Sequence, residues 1–138
     1  MNREQIESFE KLHNQLFGMY EEISLLSKKN PNDAINKFKL KYINKLLIDS
    51  NFFLHGEYKP FEDFDNFEED DIPQNGDVVF IISQYLKCFD NYKSNYVIQR
   101  QGTNWFWKYK GTLPDYIDDK GFSYLRTSKP QNFADKKL

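Results

Sequence analysis

The chain has 138 residues, 17% of them aromatic and 29% charged, with a formal net charge of −2 and a single cysteine, Cys88. That length suits one domain able to bury a core unaided, and thirteen Phe with nine Tyr supply enough burial to exclude a disordered chain. One cysteine excludes an internal disulfide, and no stretch approaches the roughly 18 apolar residues of a membrane span.

A polar opening, Met1-Asn-Arg-Glu-Gln5, reads as the start of a helix rather than a secretory signal. A cytoplasmic protein is therefore expected. Two Ala against abundant Lys, Asn, Ile and Phe point to an AT-rich coding sequence, bacterial or phage.

Residues 3–28 place Ile6, Phe9, Leu12, Leu16, Met19, Tyr20, Ile23 and Leu26 at steps of three and four, which traces one face of a helix. Gly18 opposes that helix by only about 1 kcal/mol. Asn30-Pro-Asn-Asp33 breaks it, with Asn30 suited to cap a second helix that Pro31 begins. This second helix is expected to run to about Leu54, burying Ile35, Phe38, Tyr42, Ile43, Leu46, Leu47, Phe53 and Leu54. Lys37, Lys39, Lys41 and Lys45 lie on its outer side. A short connection makes the pair an antiparallel hairpin.

Next comes the most unusual segment, Glu57–Asp71, with eight carboxylates and four rings in fifteen residues. It belongs to an acidic crossover over residues 55–76. Residues 1–54 carry +1, 55–92 carry −8 and 93–138 carry +5, so the near-neutral total conceals an acidic middle and a basic end. Phe61, Phe64 and Phe67 are three apart, as an amphipathic turn or a wrapped loop requires, with the carboxylates facing water. Alternatively the acids neutralise the lysines of the second helix or the basic end, or bind a basic patch on another protein.

Pro73-Gln-Asn-Gly-Asp77 is turn chemistry, with Asp77 expected as the N-cap of a third helix. Val78–Ile82 alone resembles a buried strand. The stripe through Val78, Val79, Ile82, Tyr85, Leu86, Phe89 and Tyr92 decides for a helix. Beyond Asn95 the texture becomes β: Tyr96–Arg100 and Asn104–Lys110 flank a Gly-containing turn, and Phe122–Thr127 makes a third strand. Trp105, Trp107 and Tyr109 alternate onto one face, while Phe106, Lys108 and Lys110 take the other. The predicted fold is one α+β domain over residues 1–138, without internal repeats. It has a helical part (1–95), a three-stranded antiparallel meander (96–128) and an irregular tail (129–138).

No catalytic or cofactor signature is present. Two distant histidines, His13 and His55, and one cysteine fall short of a zinc site. Cys88 sits mid-helix beside Phe89, where free cysteine behaves as a small hydrophobe. The glycines are too scattered for a phosphate loop. A calcium loop from Asp63 fails at its sixth and twelfth positions, which hold Glu68 and Gln74. Neither a metal nor a cofactor is expected.

These features point to a small non-catalytic binding protein, of the immunity, antitoxin or phage counter-defence inhibitor kind, that occupies a basic surface of a partner such as a nuclease or toxin. Its expected contact residues are Glu62, Asp63, Asp65, Glu68, Glu69, Asp70 and Asp71, with Phe64 and Phe67 as anchors. The alternative is a nucleic-acid-binding module using Arg100, Phe106, Lys108, Lys110 and Arg126, on the reasoning that rings among cations suit single strands. Core packing competes with it, since the two Trp and Tyr109 are needed to cover the helices and only Phe106 is then left beside the lysines.

Overall fold

The computed structural model describes residues 1–131. Three helices, α1 (Arg3–Lys29), α2 (Lys37–Ser50) and α3 (Asn75–Ser94), precede three strands, β1 (Val97–Arg100), β2 (Asn104–Lys110) and β3 (Phe122–Thr127). The strands form an antiparallel sheet in the order β1-β2-β3, so the architecture is α+β. Lys129 and Pro130 hold no regular structure, and the expected tail from residue 132 lies outside the described residues. The chain divides into two compact units, Glu10–Phe89 and Met1–Phe9 with the residues from Asp90 onward.

In the first of these units the predicted stripes of α1 and α3 contribute much of the core. Leu16, Ile23, Val78, Ile82, Tyr85 and Phe89 are fully buried. Leu26, the last apolar position expected on the α1 face, is instead exposed near the end of the helix. The register of α3 continues through Val78–Ile82 to Ser94, which removes the strand reading of that stretch.

The second helix starts six residues later than Pro31. The intervening backbone is used elsewhere: Ile35 N–H donates to Pro73 O at 2.9 Å, while Asp33 O and Pro31 O accept from Asn75 and Gly76 at 2.9 and 3.0 Å. Asn36, not Asn30, caps α2, its Oδ1 accepting from Lys39 N at 3.1 Å. Asn30 instead offers its carbonyl to the buried Asn75 side chain.

Two rings expected inside α2 are outside. Phe38 and Tyr42 are 69% and 42% exposed and pack on each other edge-to-face at 5.0 Å. The buried stripe is Leu40, Ile43, Asn44, Leu47 and Ser50, rotated from the predicted one and containing a polar residue. The helix ends at Ser50, where Phe52 and Phe53 N–H tighten onto Asp49 O and Ser50 O three residues back, and Leu54 is buried beyond this turn. His55 therefore lies beyond α2. Nor is Asp77 the N-cap of α3; it sits in the first turn and its carboxylate reaches back to Gln74 N at 3.2 Å, the reciprocal half of a capping box.

In the other unit, Asn2 and Gln5 cap the start of α1 reciprocally at 2.8 and 2.9 Å. Phe9 meets Trp107 edge-on at 5.3 Å and stacks on Tyr92 at 5.4 Å. Trp105, Trp107 and Tyr109 are buried as predicted, and Lys93, also buried, holds its ammonium 5.6 Å from the Trp107 ring centre. Gln101 and Gly102 take φ of 51° and 80° in the turn that pairs Arg100 with Asn104. Glycine reaches that left-handed region freely. The loop into β3 is closed by Asp118, which accepts from Phe122 N, Lys120 N and Tyr124 Oη at 2.8, 3.0 and 2.8 Å. Those donors, first the Phe122 amide, hold its carboxyl below the usual range.

Candidate functional site

The acidic segment is a wrapped loop, not a helical turn. Single 3-10 turns at Gly56–Tyr58 and Glu69–Asp71 bracket it, and residues 61–68 carry no helix. Phe61, Phe64 and Phe67 are all half-buried. Phe61 stacks on Phe80 at 6.0 Å, and Phe64 meets Phe67 edge-to-face at 5.1 Å. With the rings placed against protein, Glu62, Asp63, Asp65, Glu68, Glu69, Asp70 and Asp71 are all exposed.

What holds this strap is a pair of asparagines that sequence reasoning missed. Asn44, buried on α2, donates through Nδ2 to Phe67 O and accepts through Oδ1 from Phe67 N, both at 2.9 Å. One side-chain amide thus pairs with a backbone as a neighbouring β-strand would. Asn51, seven residues on, donates to Asp65 O at 3.0 Å, and its Oδ1 accepts from Tyr85 Oη at 2.8 Å. Burial pushes the Tyr85 phenol up to about 12, against the smaller opposing effect of the Asn51 hydrogen bond. Within the strap, Lys59 Nζ bonds Asp65 Oδ1 at 2.6 Å and Glu62 O at 3.1 Å. Beyond Asp71 the chain is fastened again by the 30–35 loop described above.

Strap and α2 border an open groove of about 550 Å³. Lys41, Lys45 and Ile48 line it from the helix, and Phe67, Glu68, Glu69 and Asp70 from the strap. No ion pair joins these lysines to these acids among the described residues. Among the described residues Asp65 alone of the predicted acids is paired, with Lys59 of the strap itself, while Lys39 of α2 pairs with Glu22 of α1 at 2.7 Å. The acids are therefore displayed rather than neutralised.

The other predicted set is also brought together, with more company than expected. Sheet register places Phe106 opposite Ile98 and Arg126, Lys108 opposite Tyr124, Lys110 opposite Phe122, and Arg100 opposite Asn104. Facing residues of paired strands share a side. The side away from Trp107 therefore carries Arg100, Lys108, Lys110 and Arg126 with three rings, Phe106, Phe122 and Tyr124. The expectation that only Phe106 remains there is corrected: without the register of β3, Phe122 and Tyr124 had no assigned side.

His13 is stacked on Phe89 with ring centres 5.5 Å apart and planes 11° from parallel, a packing role. Cys88 is half-buried on α3, and burial pushes its thiol up, away from nucleophilic character. Among the described residues, no three or more His, Cys, Asp or Glu side chains gather where they could hold a metal ion, and no helix is long and apolar enough to cross a membrane. Comparison with family models, curated proteins and solved structures found no match, so the surfaces are interpreted from their own geometry.

Proposed function

We propose that this chain is a non-catalytic binding protein of the cytoplasm that occupies a basic surface of a partner protein, as an immunity protein, an antitoxin or a phage-encoded inhibitor of a nuclease does. One observation carries the reading. The strap backbone is pinned by Asn44 and Asn51, its rings are packed against protein, and Glu62, Asp63, Glu68, Glu69, Asp70 and Asp71 are left exposed without an ion pair among the described residues. A preordered row of like charges loses little freedom on binding and attracts a basic partner over a distance of about one Debye length. Six unpaired acids in so short a stretch repel one another in the free protein, and a cationic partner relieves that repulsion.

The test is a native-host pull-down with the wild-type protein and with a variant in which Glu68, Glu69, Asp70 and Asp71 become Asn or Ser. A basic protein is expected to co-purify with the wild type in a salt-sensitive manner and to be lost from the variant. Thermal stability should be nearly unchanged, because these side chains are exposed and form no hydrogen bond or ion pair among the described residues. Recovery of no basic partner, together with a marked fall in melting temperature of the variant, would assign the acids to folding and end the proposal.

A further inference from the structure

We propose that the outer face of the β1-β2-β3 sheet binds single-stranded nucleic acid. Arg100, Lys108, Lys110 and Arg126 are all exposed on this face, and none forms an ion pair among the described residues. Three of them are nevertheless held in place, by groups that leave their charge intact. The Arg100 guanidinium lies 4.1 Å from the Tyr124 ring centre, and Lys108 Nζ lies 4.3 Å from that of Phe122. Arg126 donates to Asn104 Oδ1 at 3.0 Å. Asp118, whose carboxylate attracts Arg100 without forming an ion pair with it, accepts from two backbone amides and the Tyr124 hydroxyl.

The result is a positive surface of four cations, three of them held in place and none in an ion pair among the described residues, which is what a phosphate backbone requires. The rings decide between kinds of polyanion. Phe106 lies among the cations, half-buried, and Arg100 layered on Tyr124 offers a guanidinium plane on which a base can stack. An acidic protein surface needs only the charges; unpaired bases use the rings as well. This surface differs from the acidic strap in residues and in sign, so either assignment can fail without the other.

The experiment is fluorescence anisotropy of labelled oligo(dT) and oligo(U) of about 12 nucleotides, with full-length protein across a salt series. Binding is expected at low salt, with log affinity falling against log salt at a slope of about −3 if all four cations meet phosphates. Lys108→Glu with Lys110→Glu should lower affinity at least roughly tenfold and flatten the slope. Phe106→Ala should cost roughly tenfold with the slope unchanged. The same charge change at Lys28 and Lys29, on the end of α1, should do nothing. No anisotropy change with either oligonucleotide overturns the proposal, as does an equal loss from the Lys28 and Lys29 pair. Equal competition by a duplex overturns the single-strand assignment. Displacement by polyglutamate, with Phe106→Ala neutral, would give the face to an acidic protein.

Discussion

Asn44 does the work of a strand with one side chain. Its amide satisfies both Phe67 N–H and Phe67 O from within the buried stripe of α2. Asn44→Ala should therefore destabilise the protein by about 1–3 kcal/mol, since it strands the half-buried Phe67 amide while Phe67 O keeps its bond from Asn66. A lower urea midpoint at unchanged slope would measure it, with faster hydrogen exchange at the Phe67 amide as the local signature. Tyr85 makes a second prediction. Its phenol is raised from an ordinary 10.0 to about 12 by burial, so between those values the folded chain keeps a proton that the unfolded chain has lost. Stability from this group is full below pH 10 and is lost as pH rises to about 12. Urea midpoints over that range should fall for the wild type and less steeply for Tyr85→Phe. Neither residue was legible as a clamp. Asparagine at an apolar-stripe position breaks the pattern by which a buried face is recognised, and nothing local announces that its partner lies twenty-three residues away.

At the scale of elements, α1, α3 and the strands were legible because each repeats its period for several turns or alternations. The face of α2 was not. Phe38 and Tyr42 look like core by hydrophobicity, yet they satisfy each other in solvent. Leu47→Ala should cost about 2–5 kcal/mol as a fully buried truncation, while Phe38→Ala should stay near 0.5 kcal/mol. Denaturant midpoints of the two variants would separate the faces; equal losses would refute the assignment. The start of α2 was missed because the 30–35 backbone pairs with residues 73–76, a contact that no local sequence signal encodes. The outer sheet face was half legible for a related reason. Alternation within β2 was clear, but the side taken by Phe122 and Tyr124 depends on how β3 pairs.

For the whole molecule, the separation of charge read from sequence survives folding as displayed surfaces. Acids lie along a strap whose rings and backbone are engaged, and cations lie on a sheet face whose rings hold them. Had each charge set been neutralised by its own neighbouring side chains, the unevenness would have been structural bookkeeping with no outlet to a partner. The strap also shows what sequence can say about a candidate site: that the acids are unusual and exposed was readable, while the means of their display was not. That means has an evolutionary consequence. Asn44 and Asn51 grip the strap by its main chain, so the fastening is indifferent to which side chains stand at 62, 63 and 68–71. Such a loop can be rewritten residue by residue to follow a changing target, because variation in recognition is uncoupled from the scaffold that carries it.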